Sequence, residues 1–508
     1  MTRRAAFLAL ALALPLLACP EQRPTPTPPH KPPQASLAAG AGALPDALTV
    51  QRPSGPEWFG LYLVGKKAGW TSSEIRRELR DGRDLVVGRT ETVIRATVGG
   101  KDVERRQEEE RVWEARPGGR LLSFRAVWAG DGGDRTVTGT CERTTCKAVL
   151  AAGASREERT IEGVRETVEL ADGARLAALR RGAIVGTQLD LEKLRPREVR
   201  SQFVKRDVIA GAGVSEEVSV VAESEPGDRL AAEYRVADDG RILEIRLGEA
   251  VVARPEPEES AKQLDKVDLF ALARVPVPRA LPREVPKTIV YRLAGLPPSF
   301  QKSDGRQRFE KAPPGTAVLV VSARRPAAAD PAKDTPLERA KVGAAPEDLA
   351  STPQVNFDAP GIRELARQVA GSSRGTYEAA RKLSADVHDR LEKVYGASHD
   401  RASDVLAAGQ GDCTEHTVLL VALARALGIP ARPVHGLVYA RYGDGQDALY
   451  WHAWAEIRSA GEWIPLDPTF GQPVADATHL MLGSGTQVDT VGLLGALKVV
   501  GVEVREAK

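Results

Sequence analysis

The spacing of hydrophobic positions changes once along the chain, from strand-like to helical. Between Trp58 and about Leu247, short apolar runs of strand character recur at residues 58–64, 90–94, 121–128, 218–222 and 242–247. Glycine-containing breaks separate them at Gly65, Gly99-Gly100, Gly118-Gly119, residues 130–133 and Asp239-Gly240. Runs at this spacing predict an antiparallel sheet or barrel-like module over 57–253, with a helical interruption near 190–204. A boundary near 254–262 precedes a second, smaller β segment over 263–325, and Pro/Ala-rich residues 326–353 read as a linker. The period then lengthens. Leu383, Val387, Leu391 and Val394, with charged residues between them, predict a helix over 376–394, and residues 361–370 show similar spacing. Residues 418–427 are apolar almost all round except Arg425, which predicts a buried helix; Gly428 stops it and Ile429-Pro430 prevents its resumption. Three strands follow at 431–439, 449–457 and 463–467. In the second, Tyr450, His452, Trp454 and Glu456 share one face. The predicted fold class is α+β: a C-terminal helix-and-strand unit over 354–508, preceded by antiparallel β-rich modules.

Composition narrows the picture. Of 508 residues, 42% are hydrophobic and 28% charged, and beyond the N-terminus no apolar run approaches the ~18 residues needed to span a bilayer. Lys and Arg number 71 against 69 Asp and Glu, and no basic face is sustained, so nucleic acid is not an expected partner. Arg3 and Arg4 precede an apolar stretch over 5–18, the pattern of a secretory signal. The stretch ends Leu16-Leu17-Ala18-Cys19, which resembles the bacterial lipobox. That resemblance implies a lipid on Cys19 as the first mature residue; plain cleavage near Ala18 is the alternative. Pro20 stands where many inner-membrane lipoproteins carry aspartate, which implies a cell-envelope protein anchored to the outer membrane and facing the periplasm. Residues 20–56, rich in Pro, Ala and Gly, read as a semi-extended tether. Cys141 and Cys146 lie close together at a predicted hairpin in an oxidising compartment, which predicts a local disulfide.

The chemistry is concentrated in the last third. Asp412-Cys413-Thr414-Glu415 stands just before an apolar run, and its Asp-x-x-Glu spacing is a capping-box variant. This places Asp412 at the N-cap and Cys413 in the first turn, where unpaired N–H groups and the helix dipole favour a thiolate. A structural buried cysteine fits the same position. Glu415 reads as the capping partner and His416 as a polar residue facing a loop. Asp467 closes a strand ahead of Pro468, a setting that also suits a turn former. Cys413, His452 and Asp467 together supply a thiol, an imidazole and a carboxylate on three different elements, the set that nucleophilic catalysis needs. The rival arrangement is zinc held by Cys413, His416, His435 and His452. The capping box already accounts for the Cys-x-x-His part of that set, so no metal is expected.

Four strings then carry a resemblance: Gly411-Asp412-Cys413-Thr414-Glu415-His416, Arg425-Ala426-Leu427-Gly428-Ile429-Pro430-Ala431-Arg432, Trp451-His452-Ala453-Trp454-Ala455-Glu456 and Trp463-Ile464-Pro465-Leu466-Asp467-Pro468-Thr469. In this order they resemble the bacterial transglutaminase-like superfamily, over roughly 352–508. The resemblance implies a papain-like core with Cys413 as nucleophile, His452 as base, paired with the thiolate as imidazolium, and Asp467 as the orienting acid. It implies acyl transfer from a protein or peptide carboxamide through a Cys413 acyl-enzyme, with a lysine amine or water as acceptor and no cofactor. It does not choose between cross-linking acyltransferase, peptidase and deamidase. Some relatives are silent, so a non-catalytic envelope scaffold is the alternative function. The oxyanion would meet the Cys413 backbone N–H and one further donor. Gln410 is the candidate for that donor, its other reading being a plain loop residue.

The hairpin after His452 sets a register. A loop of even length, Ser459-Ala460 or 458–461, would put His452 directly opposite Asp467, Trp463 opposite Glu456, and Pro465 opposite Trp454. A three-residue loop would turn Asp467 to the far face.

Overall fold

The computed structural model describes residues 44–505 apart from 99–100, 131–133, 153–154, 212–213, 227–230, 283, 353, 395–398, 400, 442–446 and 486–490. The expected signal, Cys19 and most of the expected tether lie outside the described residues. The chain divides into two compact units, with the main division at Asp265 and Lys266; residues 95–98 and 101–104, at the ends of two strands of the first unit's sheet, group with the second.

Fourteen strands, from Glu57–Leu63 to Val251–Pro255, form one antiparallel sheet in the first unit. Successive strands are neighbours except Ser155–Ile161 and Ala183–Asp190, which form the two edges, and Glu57–Leu63 also pairs with Val251–Pro255, so the chain begins and ends this sheet side by side. Its core holds Leu61, Trp113, Tyr234 and Ile245, all buried. The helix expected near 190–204 is absent; that stretch belongs to the strands Ala183–Asp190 and Arg195–Gly211. Arg195–Gly211 pairs along most of its length with Val214–Ser224, and ladder partners on both edges override local propensity. The longest helix among the described residues of this unit is Gly173–Arg180, whose Ala-Leu-rich sequence favours it. Cys141 and Cys146 occupy paired positions of a hairpin, with Cα atoms 4.0 Å apart, and are joined by a disulfide. The tether reading fails for residues 44–56. Ala47 and Val50 are buried there, Arg52 Nε lies 2.9 Å from Asp172 Oδ2, and Arg180 Nε donates to the Pro45 carbonyl. Ala47 and Val50 give this end of the tail an apolar surface to bury.

In the second unit, elements are numbered from its start. A four-stranded antiparallel sheet has the order β3 (Gln307–Glu310), β4 (Thr316–Ser322), β2 (Thr288–Ala294) and β11 (Lys498–Arg505). The smaller β segment expected over 263–325 is therefore not self-contained, because its sheet is completed from the far end of the chain. Helices α1 (Ile362–Ala370), α2 (Thr376–Arg390), α3 (Ala402–Ala408) and α4 (Cys413–Ala426) share one apolar core. A second sheet centres on β8 (Asp447–Ser459), flanked on one side by β7 (Ala431–Arg441) and then β10 (His479–Ser484). Short β1 (Val275–Pro276) and β9 (Glu462–Leu466) pair with β8 as well. Gln410-Gly411 (β6) pairs in parallel with Glu392-Lys393 (β5).

Residues 326–353 do not behave as a linker. Ala328 and Ala340 are buried in the helical core. Asp334 accepts the backbone N–H groups of Tyr377 and Glu378 at 3.0 and 3.1 Å, supplying α2 with the cap that Gly375 cannot provide. Ser459 Oγ donates to the same Asp334 at 2.7 Å. The segment is a strap across the helices, built from single 3-10 turns that suit its prolines.

Candidate active site

Cys413 is the first residue of α4. The cap forms as its spacing predicts: Thr414 N–H donates to Asp412 Oδ1 and Asp412 N–H donates to Glu415 Oε2, each at 2.9 Å. The helix is buried nearly all round. Arg425, the one charge in its apolar run, donates to the carbonyls of Ala431 and Ala350 at 2.9 and 2.7 Å. Cys413 is 8% exposed, and its sulfur accepts the backbone N–H of Ala453 on β8, next to His452. Gln410 sits in β6, half-buried, just before the cap. His416 Nδ1 lies 2.7 Å from the Asp412 carbonyl, so His416 is folded back against its own helix rather than facing a loop.

The hairpin closes differently from the expectation. Its loop is Ala460-Gly461, both at positive φ, and Ser459 pairs with Glu462. A tight two-residue turn needs positive φ at both centres, and this placement gives one of them to glycine. Trp463 consequently faces Arg458 and Pro465 faces Glu456, a slip of two residues from the expected pairing. A slip of two keeps every side chain on its face. Asp467, one residue past β9, therefore reaches His452 diagonally, and His452 Nε2 lies 2.7 Å from Asp467 Oδ2. Both side chains are buried, at 1% and 0% exposure. The other carboxylate oxygen accepts the N–H groups of Thr469 and Phe470 at 2.8 and 3.1 Å.

One neighbour escapes the sequence reading. His479, at the start of β10, places Nε2 2.9 Å from the same Asp467 Oδ2, with Asp476 Oδ1 at 3.3 Å from its Nδ1. A signal was present in a rare histidine opening a fourth apolar strand, His479-Leu480-Met481-Leu482. Phe470, 39% exposed, lies over His452 with ring centroids 5.0 Å apart.

Among the described residues, the group able to offer an ion three ligands is His452, Asp467 and His479, not the Cys413, His416, His435 and His452 set. Contacts of 2.7 and 2.9 Å are direct hydrogen bonds. Donors around a tetrahedral ion would stand roughly 3.3 Å apart.

Electrostatics sharpen the roles. Burial alone would raise the Asp467 carboxyl, but the charge and hydrogen bond of His452, with those of His479, hold it far below the usual carboxylate range. An ionised Asp467 makes Nε2 of His452 the donor and leaves Nδ1 as its exchangeable nitrogen. Burial pushes the Cys413 thiol well up, and the charge of Asp412 adds to this; the Ala453 N–H pulls the other way without reversing it. Desolvation at this depth thus opposes the thiolate expected from the helix terminus. Burial, then the charge and hydrogen bond of Asp412, likewise drive Glu415 well above its ordinary value.

Residues 363–468 match the transglutaminase-like superfamily. No curated protein matches the chain. Among solved structures, a candidate cysteine protease from Cytophaga hutchinsonii is 15% identical, with a TM-score of 0.28, covering 43% of this chain and 83% of that one. A β-barrel-like protein of a domain of unknown function from Brucella abortus is 12% identical at TM-score 0.28, covering 40% and 96%. A candidate protease from Parabacteroides distasonis is 12% identical at TM-score 0.18, covering 74% and 66%. Residues 363–468 of this protein are a transglutaminase-like domain.

Proposed function

We propose that the second unit is a thiol acyltransferase or amide hydrolase that works through a Cys413 acyl-enzyme on protein or peptide carboxamides, in a protein held at the outer membrane by a lipid on Cys19. The observation that carries the reading is the buried 2.7 Å contact of His452 Nε2 with Asp467 Oδ2, on a strand whose next residue touches the Cys413 sulfur. Asp467 fixes the His452 tautomer, and Nδ1 takes the Cys413 proton as the sulfur adds to the carbonyl carbon. The first helical N–H groups have no acceptor inside α4, so the Cys413 N–H is available to the oxyanion, with Gln410 as second donor. As the tetrahedral adduct collapses, the carbon–nitrogen bond breaks and Nδ1 returns its proton to the leaving amine or ammonia. Water or a lysine amine then attacks the thioester, giving up a proton to Nδ1, and the thiol is regenerated.

One observation favours a second reading, a silent envelope scaffold: Cys413 is nearly closed off, and that burial pushes its thiol up. Iodoacetamide labelling of the purified chain separates the two. His452→Ala is expected to slow Cys413 labelling about a hundredfold, as loss of a positioned base does. Equal rates with and without His452 would support the scaffold. Mass spectrometry of the Cys413 adduct trapped in an envelope extract identifies the acyl donor. Cys19→Ser is expected to move the protein from the membrane to the soluble fraction, and unchanged fractionation would refute the anchor.

A further inference from the structure

His479 lies outside the segment matched by the superfamily, yet it is built into the site more firmly than space-filling requires. It is fully buried, and its Nε2 stands 2.9 Å from the Asp467 oxygen that His452 approaches at 2.7 Å. Behind it, Nδ1 lies 3.3 Å from both Asp476 Oδ1 and Thr478 Oγ1. Its backbone is clamped from the small sheet. Arg306 Nη1 donates to the carbonyls of His479 and Asp476 at 2.7 and 3.0 Å. Gln307 exchanges two hydrogen bonds with the backbone of Met481, at 2.8 and 2.9 Å.

We propose that His479 is a positioning residue for the Cys413 reaction: by donating Nε2–H to the oxygen His452 also uses, it aims the Asp467 carboxylate and limits how strongly that carboxylate holds a proton on His452. The inference rests on the thiol-catalysis reading above. A carboxylate oxygen aimed at a single imidazole favours the imidazolium, which cannot act as a base. A second donor on that oxygen takes up part of its charge. When His479 is protonated, its ring, 5.7 Å from that of His452, also opposes a second cation there. The groups facing His479 are consistent with its being that cation. They are Asp467 after β9, Asp476 before β10, His452 on β8 and Arg306 before β3, whose guanidinium bonds the two carbonyls. Burial disfavours charge on His479, but the hydrogen bonds it donates to Asp467 and Asp476 outweigh it and raise its proton affinity. Burial, then the charge of Asp476, raise the Tyr291 hydroxyl, so Tyr291 stays neutral beside it.

The test reads the rate of Cys413 alkylation by iodoacetamide against pH on the full chain, which needs no substrate. His479→Phe is expected to move the acid limb upward by about one pH unit, so labelling below both limbs falls roughly tenfold. His479→Gln keeps a neutral donor but no charge, and is expected to give a smaller shift in the same direction. NMR of ring-15N-labelled histidine should show a protected Nε2–H signal from His479 in the parent protein, which disappears in His479→Gln. An unmoved limb in His479→Gln, with labelling still dependent on His452, overturns the inference; so does a lower rate without a shift, which marks a structural role only. Labelling of the parent protein that ignores His452 instead removes the catalytic reading, and this inference with it.

Discussion

Asp412 and Glu415 are the two acids of the cap around Cys413. Glu415 accepts the Asp412 N–H and, through its other oxygen, the N–H of His399, and it is held above its ordinary proton affinity by burial and by Asp412. A carboxyl whose folded value is raised stays protonated in the fold after the unfolded chain has lost its proton. Folding therefore loses stability as pH climbs above the unfolded value near 4.3. Glutamine cannot titrate, although its NH2 replaces one of the two acceptor oxygens. Glu415→Gln is accordingly expected to fall below the parent near pH 4 and to gain on it as pH rises to neutral. The gain should be about 1.4 kcal/mol for each pH unit over which the parent alone takes up the proton. Urea melts at pH 4 and pH 7 check this, and a parallel offset at both would refute it.

The strand β7 approaches β10 more closely at Gly436 than any other residue would allow. An ideal Cβ there would lie 1.9 Å from the Leu480 carbonyl oxygen and 2.9 Å from the Trp454 ring. The first of these is backbone one residue from His479, so relief requires β10 itself to move. Gly436→Ala is expected to cost about 1–3 kcal/mol and to slow Cys413 labelling, although the substitution touches none of the three proposed catalytic side chains. A melt unchanged by the alanine would show that β10 gives way freely. Elements such as this one also mark where the sequence is legible. Helix α4 was readable to within a residue because both of its ends carry chemical punctuation, Asp412 with Glu415 at the start and Gly428 with Pro430 at the end. The hairpin was readable in parity but not in register, because an alanine, Ala460, takes the positive-φ position beside Gly461. His479 was not readable as a partner of Asp467, since that contact exists only once β10 pairs with β7. The strap over 326–353 resembled a linker because its burial uses small alanines and capping bonds rather than a periodic apolar face.

At the scale of the whole unit, the four-stranded sheet ties distant parts of the chain to the site. Strand β2 pairs with β4 on one side and β11 on the other, while Arg306 and Gln307, around the start of β3, grip β10. Removing residues 498–508 leaves β2 without its outer partner. It is expected to lower the melting temperature of the second unit and, through the loosened grip on His479, the rate of Cys413 labelling. A truncated chain that melts and labels like the parent would show that β11 is only an edging. The cross-chain grip also sets an order of assembly. Gln307 is made 174 residues before the Met481 backbone it holds, and β2 precedes β11 by still more. On a ribosome adding about 5–20 residues each second, the early half of the clamp waits many seconds for the other half. A nascent chain that already displays Cys413 has neither His479 nor the sheet that steadies it, so the thiol emerges in an incomplete setting and acquires its partners late in synthesis.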